Sequence, residues 1–141
     1  MHFNVSHSGK WAVCAVSDSP VGIDIQEIKP VNFSIANRFF SASENEMLIN
    51  AQGAARQELF YKLWVLKESY VKMLGKGLSM RLDSFSIKID GENISLLSPV
   101  GHDQCFFKLY DACHGYKMAV CGMENKFPDN VETARINILT A

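Results

Sequence analysis

LWVLKESYVKMLGKGL, Leu63 to Leu78, is the stretch on which the fold turns. Its apolar residues recur at helical spacing, and Gly75 can take the left-handed conformation that closes a helix. A helix over Glu58 to Gly75 is therefore expected. Drawn at about 100° per residue, it gathers Leu59, Leu63, Leu66, Tyr70, Met73 and Leu74 into one core stripe. Phe60, Trp64 and Val71 widen the apolar surface towards Glu68. Glu68 lies nearly opposite the stripe, between Tyr61, Trp64, Val65, Val71 and Lys72, where a carboxylate needs a partner.

Two partners are available. Lys72, one turn on, makes a helical pair worth about 0.2–0.5 kcal/mol. The other is a metal ion shared with Asp24, which interrupts the apolar run VGIDIQEI (Val21 to Ile28). Strand alternation puts Gly22, Asp24 and Gln26 on one face, with Ile23, Ile25 and Glu27 on the other. Hard oxygen ligands from two elements, completed by water and phosphate oxygens, are the usual setting for Mg²⁺. Both readings stay open on spacing alone.

Working outward, WAVCAVSD (Trp11 to Asp18) and VGIDIQEI read as a pair of strands separated by a Ser19-Pro20 turn. Ser43 with Glu46 fits a capping box that opens a short helix. Strand signals return in FSIKID (Phe85 to Asp90), NISLL (Asn93 to Leu97), CFFKLYDA (Cys105 to Ala112) and YKMAVCGM (Tyr116 to Met123). Hairpins are expected at Asp90-Gly91 and His114-Gly115, and ARINIL near the C-terminus is a further edge-strand candidate. The expected class is α+β: an antiparallel sheet with helices packed on one face, in a single domain spanning residues 1–141.

The 141 residues are 48% hydrophobic with a formal net charge of -1, enough for one globular core. That balance excludes a protein built to coat nucleic acid or an anionic membrane, so any anionic ligand is held locally. The start, MHFNVSHSGK, has neither a basic nor an apolar leader region, which makes the cytoplasm the expected compartment. Cys14, Cys105, Cys113 and Cys121 form no CxxC pair and are expected as reduced thiols. A zinc site drawn from them with His102 and His114 is disfavoured.

Other motifs read as structure. His7 and Ser8 lack the elbow and third member of a serine hydrolase. Gly75-Lys76-Gly77 does not have P-loop spacing. Phe39-Phe40 reads as a packing face, and His2 and His114 as surface or turn residues.

FNVSHSG (Phe3 to Gly9), VGIDIQ (Val21 to Gln26), RFFSASE (Arg38 to Glu44) and LWVLKESYVKMLGKGL, in this order, resemble the surfactin-type 4′-phosphopantetheinyl transferases. LDSFSI (Leu82 to Ile87) and GYKMAVC (Gly115 to Cys121) continue the likeness, which covers nearly the whole chain. It implies transfer of the phosphopantetheine arm of coenzyme A to a serine of an acyl or peptidyl carrier protein, releasing adenosine 3′,5′-bisphosphate, with Mg²⁺ as cofactor. Carried over by motif, Asp24, Gln26 and Glu68 stand at the metal positions. Glu68 also matches the group that receives the serine proton. Lys72 matches the motif lysine near the phosphates, Ser6 and His7 match a coenzyme A contact, and Lys67 is a further cofactor-binding candidate. Gln26 departs from the pattern, which commonly has a third acid there.

The resemblance also implies that this chain corresponds to the C-terminal half of a two-half fold that binds coenzyme A between its halves. Single-half relatives, the holo-acyl-carrier-protein synthases, assemble as trimers. An apolar surface around Phe60, Trp64, Val65 and Val71 leaves two expectations open, self-association over it or its cover within the chain by the tail or the later strands. The alternative to a transferase is a catalytically silent remnant that keeps the fold and binds a carrier or another subunit.

Overall fold

The computed structural model describes residues 1–97 and 104–134. In chain order its elements are β1 (His2–Ser8), β2 (Trp11–Ser17), β3 (Val21–Glu27), α1 (Phe33–Ala36), α2 (Ala42–Asn50), α3 (Gly53–Leu74), β4 (Ser86–Asp90), β5 (Asn93–Leu97), β6 (Phe106–Tyr110) and β7 (Tyr116–Gly122). The class is α+β, and the strand pairs are antiparallel. The single sheet expected is divided into three: β1-β2, β3-β7-β6 and β4-β5. Among the described residues no helix is long and apolar enough to cross a membrane.

The expected pairing of β2 with β3 does not form. β2 instead folds back on β1 through Gly9, whose φ of 54° suits a tight hairpin turn, with Val5 opposite Cys14. β3 pairs with β7, with Asp24 opposite Ala119. Strand β1 is hidden in the sequence because Asn4, Ser6 and Ser8 make one of its faces polar. Those side chains have a definite task. Asn4 Oδ1 accepts from Ile23 N at 2.9 Å, Ser6 Oγ from Ile25 N at 3.2 Å, and Ser8 Oγ from Glu27 N at 2.9 Å. The outer edge of β3 is thus satisfied by a comb of side chains in place of a backbone ladder.

Helix α3 lies on one face of β3 and β7. Leu63, Leu66, Tyr70 and Met73 are buried as the helical stripe requires, against Phe85, Ile87, Ala119 and Cys121. The approach is closest at Gly22, where a Cβ would fall on the Ser69 carbonyl oxygen and 2.6 Å from Met73 N. On the opposite face Val21, Ile23, Ile25, Tyr110, Met118 and Val120 form a second cluster. Strand alternation therefore sorts β3 as expected.

Helix boundaries moved for identifiable reasons. α3 ends at Gly75 with φ 71°, but it starts at Gly53 and not at Glu58. Gln52 supplies no capping side chain, so nothing local marks that start. The capping box of α2 is Ser41 with Glu44: Ser41 N donates to Glu44 Oε1 at 2.9 Å, and Glu44 N donates to Ser41 Oγ at 3.4 Å. Ser41-x-x-Glu44 and Ser43-x-x-Glu46 have the same spacing, and tertiary contacts of Glu44 select the first.

The apolar surface around Phe60 is covered within the chain. Phe60, Val65 and Val71 are buried. Phe33 and Phe40 meet the Phe60 ring edge-on at 6.0 and 5.4 Å, and Phe39 meets Trp64 at 5.7 Å. Phe39 stays exposed over Trp64, and a second group of exposed apolar side chains, Phe3, Val5 and Val16, lies on the hairpin of β1 and β2. The edge strand expected in ARINIL lies outside the described residues but for Ala134, and His102 lies outside them too.

Candidate active site

Asp24 projects from the middle of β3 towards α3 and is only 5% exposed. Its Oδ1 accepts from Ser6 Oγ and its Oδ2 from Gln26 Nε2, both at 3.2 Å. Burial pushes its pKa up to about 7. The Gln26 bond opposes the rise, the charge of Glu68 adds to it, and Lys72 and Ser6 oppose it. Glu68 reaches the same place from α3. Its carboxyl is half-buried, burial raises its pKa, and the Lys72 ammonium partly offsets the rise. No described residue gives the Glu68 carboxylate a hydrogen bond or ion pair.

Lys72 does not close the helical pair with Glu68. Its Nζ donates to Val5 O at 2.6 Å and to Ile23 O at 2.7 Å, linking β1 to β3 and leaving one N–H for another acceptor. Burial lowers its pKa, while Asp24 and Glu68 raise it. The side chains of Asp24, Glu68, Lys72, Gln26 and Ser6 therefore converge where α3 crosses β3. His7 does not join them. It is exposed, on the outer face of β1, opposite Ser6.

Lys67 requires a correction: it is not positioned to hold a cofactor. It is fully buried, and its three N–H groups go to Glu44 Oε1, Glu44 Oε2 and Phe85 O at 2.7, 2.9 and 2.6 Å. A signal for this was present, because Lys67 is four residues from Leu63 and three from Tyr70, within the core stripe. Glu44 and Gly22 were likewise missed, the first behind a repeated capping spacing, the second behind a small side chain.

The donor set fits a hard divalent cation. Two desolvated carboxylates and the Gln26 amide are all oxygen donors, and a cation would relieve the cost of burying both acids. Among the described residues no group of three His, Cys, Asp or Glu gathers as a metal cluster, in keeping with glutamine at position 26. Among the described residues no disulfide joins Cys14, Cys105, Cys113 or Cys121. A groove of about 1120 Å³ lies on the far face of the sheet, between Val13, Ile23, Met118 and Phe127, without Asp24 or Glu68 in its wall. The converging carboxylates, and not that groove, form the candidate site.

Residues 20–121 match the 4'-phosphopantetheinyl transferase superfamily. A 4'-phosphopantetheinyl transferase of Bacillus subtilis is 48% identical over 133 residues, covering 94% of this chain and 59% of its own length. The 4'-phosphopantetheinyl transferase Sfp of Bacillus subtilis strain 168 is 46% identical over 132 residues, with 92% and 58% covered. Among solved structures, Thermotoga maritima holo-[acyl-carrier-protein] synthase has a TM-score of 0.60 at 23% identity, with 72% of this chain and 61% of that one covered. A Bacillus anthracis holo-(acyl-carrier-protein) synthase in complex with CoA (3',5'-ADP) also has a TM-score of 0.60, at 16% identity, with 72% and 92% covered. These solved structures share the fold, and the family match with the Bacillus relatives shows that the chain belongs to the 4′-phosphopantetheinyl transferase superfamily. It spans under two thirds of the length of the curated relatives named.

Proposed function

We propose that the chain transfers the 4′-phosphopantetheine arm of coenzyme A to a serine hydroxyl of an acyl or peptidyl carrier protein. The serine oxygen bonds to phosphorus as the pyrophosphate bond breaks, and adenosine 3′,5′-bisphosphate leaves. The observation that carries this reading is Glu68: a half-buried carboxylate with raised proton affinity and no hydrogen-bond or ion-pair partner among the described residues, beside Asp24. In this reading it receives the serine proton. Lys72, with one N–H uncommitted, offers charge to a phosphate oxygen. Asp24, Glu68 and the Gln26 amide would hold Mg²⁺, which supplies charge neutralisation at the pyrophosphate. Ser6 fixes the Asp24 carboxyl, and the exposed His7 is the proposed coenzyme A contact on β1.

Transfer of a fluorescent coenzyme A arm to an apo peptidyl carrier protein tests this reading. Labelling is expected with Mg²⁺, to disappear with EDTA, and to fall at least about 100-fold in Glu68→Ala. Labelling that survives both treatments removes the proposal.

A second reading, a module that works only when paired, is favoured by Phe3 (69% exposed), Val5 (57%) and Val16 (63%) on the outer face of the hairpin. Pairing through that face predicts a concentration-dependent sedimentation coefficient that Val5→Glu returns to the monomer value. A monomer at all micromolar concentrations rejects self-pairing.

A further inference from the structure

We infer that the buried Glu44–Lys67 ion pair is a positioning device that sets the rotation of α3, and with it the presentation of Glu68 and Lys72 to β3. The inference rests on the transferase reading above. Both side chains are fully buried. Lys67 spends all three N–H groups on Glu44 and Phe85 O, and its Nζ stands 4.0 Å over the Phe85 ring. Glu44 also accepts from Ser41 N at 2.9 Å and from Ile87 N at 2.7 Å. One pair therefore ties the first turn of α2 and the strand β4 to the middle of α3.

Stability does not explain such a pair, because well-packed apolar residues of similar volume usually serve a core as well or better. What the pair adds is direction. Apolar contacts let a helix roll or slide at little cost, whereas charged hydrogen bonds weaken steeply when bent. The anchored residue is the immediate neighbour of Glu68 and lies five positions before Lys72. A roll about the helix axis that Lys67 resists would carry both side chains away from Asp24, and a displacement of about 1 Å at a reacting centre costs about 100-fold in rate.

The test compares the full chain with the double variant Glu44→Leu/Lys67→Met, which removes both buried charges while keeping apolar volume. Melting temperature, Mn²⁺ affinity from the paramagnetic resonance signal of the free ion, and kcat and carrier KM are read together. Expected are a folded protein whose melting temperature falls, because Ser41 N, Ile87 N and Phe85 O lose their partners, Mn²⁺ affinity and kcat each lowered about 10- to 100-fold, and an unchanged carrier KM. The conservative exchange Glu44→Asp/Lys67→Arg should recover part of both losses.

A folded double variant with parental Mn²⁺ affinity and kcat overturns the inference. If the double variant does not fold, Glu44→Gln is judged by the same two quantities. A parent chain that binds Mn²⁺ but transfers no arm refutes the transferase reading, and the Mn²⁺ comparison still decides the positioning role.

Discussion

Gly22→Ala is expected to lower the melting temperature by about 10 °C and, in the protein that remains folded, to slow transfer by about 100-fold. The added methyl would occupy the position of the Ser69 carbonyl oxygen and press on Met73 N. Both obstacles are helix backbone, so neither can rotate away, and the helix must lift from the strand. Overpacking of this kind costs about 3 kcal/mol, and in a domain of this size each kcal/mol is worth about 3–4 °C. The loss of rate follows from separating Glu68 on α3 from Asp24 on β3. Thermal unfolding and single-turnover transfer check the two halves. An alanine variant with the parental melting temperature would show that the contact is not tight.

Asp24→Asn is expected to abolish transfer yet stabilise the metal-free protein above neutral pH. The Asp24 carboxyl holds its proton to about pH 7 in the folded chain, against an ordinary value of 3.8. Folding therefore takes up a proton between those values. Stability is fully present below the unfolded value, falls as the pH rises through that window, and stays low above about 7. At about 1.4 kcal/mol per pKa unit the ceiling is about 4 kcal/mol, and relaxation around the ionised carboxylate makes about 2 kcal/mol the expected gain. Denaturant unfolding in EDTA at pH 5 and pH 8 measures it. Asparagine should flatten the decline between them, and an identical decline in both proteins would place its origin elsewhere.

The parts of this fold that were legible are those where one residue's neighbours in sequence are also its neighbours in space. The stripe of α3, its Gly75 cap and the alternation along β3 are of this kind. So is the isolation of Asp24 and Glu68 among apolar residues, which singles out the two carboxylates proposed for the site. What was illegible depends on partners far along the chain. β1 reads as polar until its Asn4, Ser6 and Ser8 side chains meet the β3 backbone. Two equal Ser-x-x-Glu spacings cannot be separated until Lys67 selects Glu44. Lys67 was a cofactor-binding candidate on the motif, although one residue along a helix is about 100° around it and so faces away from Glu68. The family motif preserves that adjacency without stating which way each charge faces.

The side-chain comb between β1 and β3 also has an electrostatic consequence. In an ordinary ladder, strand carbonyls are consumed by the facing amides. Here the amides of Ile23, Ile25 and Glu27 are served by side chains, which leaves Val5 O and Ile23 O free to receive the Lys72 ammonium. A gap in the backbone pattern thereby becomes a seat for a cation. The fold keeps one positive charge anchored beside two acids at a seam where regular sheet would have left no room for it.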